Sequence, residues 1–213
     1  MAEMLQTLSP LAGLVKPGRY GRADGAAGLT VTEISNCAIA NILPAPGAAA
    51  FQGHPLPEPG KTAVIMEHAA EKWNPVFRKQ HAEIKETLAA RFIWSGPGQW
   101  LALKEGVAPE VFAAELAAAL PGAGIVDQSD GFALIRLSGP CARKTLAKGP
   151  ALDLHPRAFK TGDSALTHLH HIRLTLWQID EAPSFGLAFP RSYAGSFWHW
   201  LEVSAGAEGW EIL

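Results

Sequence analysis

Ile125-Val126-Asp127-Gln128-Ser129-Asp130-Gly131-Phe132-Ala133-Leu134-Ile135-Arg136-Leu137 places two short apolar runs on either side of Ser129-Asp130-Gly131. Asp-Gly suits the positive-φ positions of a tight turn, so the stretch predicts two strands joined as a hairpin. C-terminal to it, Pro140 to about Lys148 reads as a short helix closed by Gly149. Leu166 to Ile179 reads as one long β-rich run, and Ser184 to Phe189 as a further strand. A last helix opens near Pro190 and runs to about Ser204, with Tyr193, Phe197, Trp200 and Leu201 spaced to form one aromatic core face.

The N-terminal side alternates in the same way. Leu29–Thr32 and Ala38–Leu43 carry β signals. Arg91 to Leu103 predicts two strands around Gly96-Pro97-Gly98. A helix follows from Pro109, with Phe112, Leu116, Ala119 and Leu120 on one face and Gly122 placed to end it. Residues 1–28 read as an extended arm. Residues 44–61, with Pro44, Pro46, Pro55, Pro57 and Pro59, read as a loop, because each proline removes a backbone donor and extends its predecessor. Residues 75–90 carry a helical pattern. The class expected is α+β: two packed α+β subdomains, 1–124 with the arm and the proline-rich loop, and 125–213.

Composition bounds the function. The 213 residues are 48% hydrophobic and 18% charged, enough apolar material for a core. A net charge of −2 without a run of like charges speaks against nucleic acid or an anionic membrane as partner. Two distant cysteines, Cys37 and Cys141, make no disulfide framework or metal spacing. The N-terminus lacks a basic flank followed by an apolar run, and no segment approaches the ~20 apolar residues of a membrane span. The expectation is a cytoplasmic protein.

Each apparent site lacks a component its chemistry requires. Ser95-Gly96-Pro97-Gly98 has no Lys-Ser/Thr after it and is followed by a strand, so it reads as a turn rather than a phosphate loop. His168 and His170 share a strand face with His171 opposite, but a zinc site needs further ligands that no spacing supplies. Cys141 at a helix start could be an activated thiol or a small buried residue, and the packing reading is preferred. Asp153, His155 and Arg157 could form an acid–base or anion site. A turn in which Asp153 accepts backbone or Arg157 hydrogen bonds is preferred, since no oxyanion device accompanies them. The residues themselves therefore nominate no catalytic, cofactor or metal site. Trp198, off the aromatic face beside Arg191 and Glu202, is the expected partner contact.

A family comes into view in the second half. Leu137-Ser138-Gly139-Pro140-Cys141-Ala142-Arg143, then Leu152-Asp153-Leu154-His155-Pro156-Arg157, then Arg191-Ser192-Tyr193-Ala194-Gly195-Ser196-Phe197-Trp198 resemble the gamma subunit of heterotetrameric sarcosine oxidase. The first of these segments is also similar to the wider aminomethyltransferase and folate-binding class. The resemblance implies a fold like the folate-binding domain of aminomethyltransferases. It also implies membership of an oxidoreductase complex that demethylates sarcosine to glycine and passes the one-carbon unit to tetrahydrofolate or releases formaldehyde. The partners implied are alpha, beta and delta subunits, and FAD, FMN, NAD, zinc and tetrahydrofolate belong to them. The resemblance implies no catalytic residue in the gamma chain itself. The competing readings are a free-standing folate-binding or one-carbon transfer protein, and a metal hydrolase on His168 and His170.

Overall fold

The computed structural model describes residues 9–43, 59–65 and 90–213. The helix expected over 75–90 and most of the loop expected over 44–61 lie outside the described residues.

Alternation along the strands decides which side chains face which layer. In Ile172–Asp180 (β10), Ile172, Leu174 and Leu176 enter one core cluster, while Trp177 enters another. Gln99–Glu105 (β6) divides likewise: Ala102 faces one cluster, Leu101 and Leu103 the other. Strands split in this way must be covered on both faces, and four layers result. The described strands form two sheets. The larger runs Gly18–Tyr20 (β1), Trp210–Ile212 (β12), Leu29–Glu33 (β2), Phe132–Ser138 (β8), Ser184–Pro190 (β11), β10 and Ser164–Leu169 (β9). The smaller runs Thr62–Ile65 (β4), Ala90–Gly96 (β5), β6, Cys37–Leu43 (β3) and Gly124–Asp127 (β7).

Helices close the outer faces. Pro109–Ala119 (α1) starts with proline at its first turn and buries Phe112, Leu116 and Ala119 against the smaller sheet. Ala142–Leu146 (α2) and Ala194–Ala205 (α3) cover the larger sheet. A 3-10 turn, Arg191–Tyr193, leads into α3. Between the sheets lie Ile39, Ile93, Leu101, Leu103, Leu134, Trp177 and Ala188. The class is α+β, as expected.

Four expectations change. The 125–137 stretch is not a hairpin: β7 pairs with β3 in the smaller sheet, and β8 pairs with β2 and β11 in the larger. Ser129-Asp130-Gly131 is a corner between sheets, held because the Ser129 hydroxyl accepts from Ile39 N–H at 3.0 Å and donates to Asp127 at 2.7 Å.

Leu166–Ile179 is not one strand. It folds back at His170-His171, because Leu169 pairs with Ile172 across a two-residue loop. His170 has φ 53, a left-handed conformation uncommon outside glycine. The arm is not free either: Leu11 is buried in the larger core, β1 pairs with β12, and Tyr20 stacks on Trp210 at 4.6 Å. Tyr193, finally, is 36% exposed on the 3-10 turn rather than part of the core face. The helix proper begins one residue later, at Ala194.

Candidate functional site

Trp198, with Arg191 and Glu202, is the partner contact expected from the sequence. Trp198 lies on α3 beside Phe197, and a wheel of that helix alone puts it outside the apolar stripe. In the fold it is 7% exposed. The N-terminal strand and the C-terminal strand cover it, with Tyr20 at 6.2 Å and Trp210 at 4.9 Å between ring centroids. Its indole N–H donates to Glu202 at 3.0 Å. Trp198 is therefore core and no exposed anchor. Glu202 stays exposed, and Arg191 is half-buried, its backbone N–H given to the Gly131 carbonyl.

The exposed flank of α3 lies elsewhere. Val203 is 72% exposed. With Gly195, Ser196, His199, His170 and His171 it borders an open groove of about 550 Å3 that also touches Trp200, Leu169 and Ile172. His171 meets the Tyr193 ring at 5.6 Å. The hairpin turn at His170-His171 carries two histidines to this groove. His168 stays behind on β9, opposite Arg173. The alternation argument for His168 and His170 as a pair fails at that turn. Among the described residues no group of three or more His, Cys, Asp or Glu is placed to hold a metal ion.

The other nominated residues are structural in their contacts. Asp153 accepts from the His155 N–H at 2.9 Å, and His155 Nδ1 accepts from the Arg157 N–H at 3.2 Å, so the stretch is a hydrogen-bonded turn. Cys141 caps α2, yet burial and the hydrogen bond from its thiol to Glu208 push its pKa up, away from an activated thiolate. Lys144, 2.7 Å from the same carboxylate, does not reverse this.

Sequence reading missed Arg143. Its guanidinium donates to the Leu154 carbonyl, to the Phe159 carbonyl at 3.3 Å and to Gln178 at 2.8 Å, and lies 5.1 Å from the centre of the Phe185 ring. One side chain thus ties the Leu-Ser-Gly-Pro-Cys-Ala-Arg segment to the Leu-Asp-Leu-His-Pro-Arg segment and to β10. No spacing signals this, since the partners are backbone carbonyls set by the fold.

A second concavity lies between the sheets. At one end the apolar inter-sheet layer turns polar: Asn41, Ser95, Gln99, Arg173 and Thr175 line a cleft of about 160 Å3 with Leu101, Leu166, Phe132 and Ala188. Their register explains it. Thr175 and Arg173 continue the face of Trp177 on β10, Ser95 that of Ile93 on β5, Asn41 that of Ile39 on β3, and Gln99 that of Leu101 on β6.

Comparison with known proteins gives the family. Residues 82–208 match the family described as "SoxG: Sarcosine oxidase, gamma subunit family", more than half of the chain. The chain is 40% identical over 115 residues to "Sarcosine oxidase subunit gamma" of Corynebacterium sp. (strain P-1), covering 51% of this chain and 53% of that one. Against the protein of the same name from Arthrobacter sp. it is 38% identical over 114 residues, with the same shares covered. The chain thus matches about half the length of these curated relatives. In structure it is similar to a chain of the heterotetrameric sarcosine oxidase from Corynebacterium sp. U-96 in complex with pyrrole 2-carboxylate, with a TM-score of 0.70 at 23% identity over 94% of this chain and 96% of that one. It is also similar to the glycine cleavage system aminomethyltransferase T from Bartonella henselae, with a TM-score of 0.59 at 14% identity over 88% of this chain and 48% of that one. These two show the fold. The residue-level match shows the rest: the chain belongs to the sarcosine oxidase gamma subunit family.

Proposed function

We propose that this chain is the gamma subunit of a heterotetrameric sarcosine oxidase and works by its surfaces, stabilising an assembly whose chemistry lies in other chains. The family match over residues 82–208 carries this reading. The reaction would be oxidative demethylation of sarcosine to glycine, with alpha, beta and delta subunits as partners. FAD, FMN, NAD, zinc and tetrahydrofolate would sit in those partners.

The surface that best fits a partner is the outer flank of α3. Val203 is exposed beside a groove floored by apolar side chains, and exposed apolar area next to a concavity is the usual signature of an interface. Tyr193, Arg191 and Glu202 extend it; Trp198 does not belong to it. A free-standing folate-binding protein is the competing reading, and calorimetry of the isolated chain with a tetrahydrofolate analogue would show binding if it held.

Affinity purification of the tagged chain from cells that make it tests the reading. Larger flavin-bearing chains should co-purify in fixed stoichiometry. Val203→Asp should weaken that association about tenfold or more while leaving the urea midpoint of the isolated chain unchanged, because Val203 is solvent-exposed there. Purification of the wild-type chain free of partners would refute the assembly role. Full association of Val203→Asp would refute this face.

A further inference from the structure

Three imidazoles border the groove on the outer flank of α3. His170 and His171 form the two-residue turn between β9 and β10, and His199 stands on α3. All three are exposed, so in the free chain water solvates them whether or not they carry a proton. Among the described residues they are the only titratable side chains lining the groove. Leu169, Ile172, Trp200 and Val203 supply its apolar wall.

No neighbouring element brings a carboxylate into the groove. On α3, Glu202 lies about one turn beyond His199, and its carboxylate accepts the Trp198 indole N–H at 3.0 Å. Where Gly149 packs against Trp200 and Leu169, the adjacent Lys148 donates to the Ser204 carbonyl at 2.6 Å and lies 3.8 Å from Glu208. On the 3-10 turn, the Tyr193 ring meets His171 at 5.6 Å, and Arg191 is half-buried. On the strands behind the hairpin turn, His168 stands across from Arg173. Once water is displaced, this chain offers no acid in the groove to hold an imidazolium.

An apolar wall without charge is complementary to an uncharged apolar ridge on a partner. Covering an imidazole with such a ridge strips its water, and desolvation penalises the charged form. The covered histidines are then neutral, and the free chain binds more protons than the assembled one. Association is at full strength where exposed imidazoles are already neutral. It weakens as pH falls through the imidazole range, from about 8 to about 5.

We propose that the α3 flank is a pH-sensitive docking face, which holds an uncharged apolar ridge of a larger subunit near neutral pH and releases it as its histidines take up protons. His170 and His171 contribute most, because Glu202 lies within a turn of His199. The inference rests on the assembly reading. Mass photometry of the diluted native assembly, at about pH 8 and about pH 6 and fixed ionic strength, gives the dissociation constant. An exposed imidazole of ordinary pKa, ~6.5, that must shed its proton costs about fourfold at that lower pH, so two or three should raise the constant about tenfold or more. His170→Asn combined with His171→Gln should cut the rise to about fourfold or less; Asn suits position 170, where φ is 53. His155→Gln, on the exposed 153–157 turn, should keep the wild-type dependence. Association independent of pH, tighter association at the lower pH, or an undiminished dependence in the double variant would overturn the proposal. If the double variant does not assemble, the sign of the wild-type dependence still decides. Absence of any assembly at about pH 8 would overturn the assembly reading, and this inference with it.

Discussion

Trp198→Ala should act on folding rather than on a free surface. The indole is 7% exposed and stands between Tyr20 and Trp210. A buried aromatic of this kind removes ~150–250 Å2 from water. At about 25 cal/mol per Å2 that is ~4–6 kcal/mol, an upper figure because the unfolded chain already hides part of its apolar area. Truncation series for Phe and Trp centre on ~3–5 kcal/mol, which we take as the expected loss. The hydrogen bond to Glu202 adds little, since Glu202 is exposed to water. Against a total stability of ~5–15 kcal/mol the change is large.

Urea unfolding of the isolated chain, followed by far-ultraviolet circular dichroism, reads it directly. With a slope near ~2 kcal/mol per molar, the midpoint should fall by ~1.5–2.5 M at unchanged slope. Trp198→Phe should cost only ~1–2 kcal/mol, because a ring still fills most of the space. A double-mutant cycle with Tyr20→Ala should show coupling of ~0.5 kcal/mol or more, as expected for touching rings. A midpoint shift below ~0.5 M for Trp198→Ala, with association to larger chains lost, would refute the core assignment and restore the surface one.

Two further outcomes follow from the inter-sheet layer. Gly186→Ala should destabilise by ~1–3 kcal/mol or more, since an added Cβ would sit 2.1 Å from the fully buried Trp177 indole, and a thermal melt within a degree of wild type would contradict this. The Cys37 thiol is pushed up to about 12, by burial first and by the Glu105 carboxylate second. The unfolded chain then loses this proton near pH ~8.5 while the folded chain keeps it, so the unfolded state binds fewer protons and stability falls as pH rises from about 9 toward about 12. Cys37→Ala should flatten that part of the profile in urea midpoints taken from about pH 8 to about pH 11, and an unchanged slope would count against it.

Much of the local structure was legible in the sequence. Period-two runs such as Phe132–Leu137 and Gln99–Leu103 became strands, and the stripe Phe112–Leu116–Ala119 became the buried face of α1. These patterns are written in neighbouring residues, and neighbouring residues suffice to read them. The candidate sites were less legible. The histidine run failed as an alternating strand because a two-residue turn intervenes, and that turn places a non-glycine residue at positive φ, which composition does not announce. Arg143 and the polar cleft were invisible, because their partners come from strands far apart in the chain.

Chain order alone determined that strands and amphipathic helices alternate, that Asp130-Gly131 turns the chain, and which family the second half resembles. Only the tertiary structure decided that the runs flanking that turn enter different sheets, and that the arm and the last strand bury Trp198. The physical reason is shared. A turn residue sets the local dihedrals, and a helical period sets a face, but what a strand pairs with and what covers a face depend on surfaces brought together from distant segments. Trp198 is core for that reason, although its own helix places it on the outside.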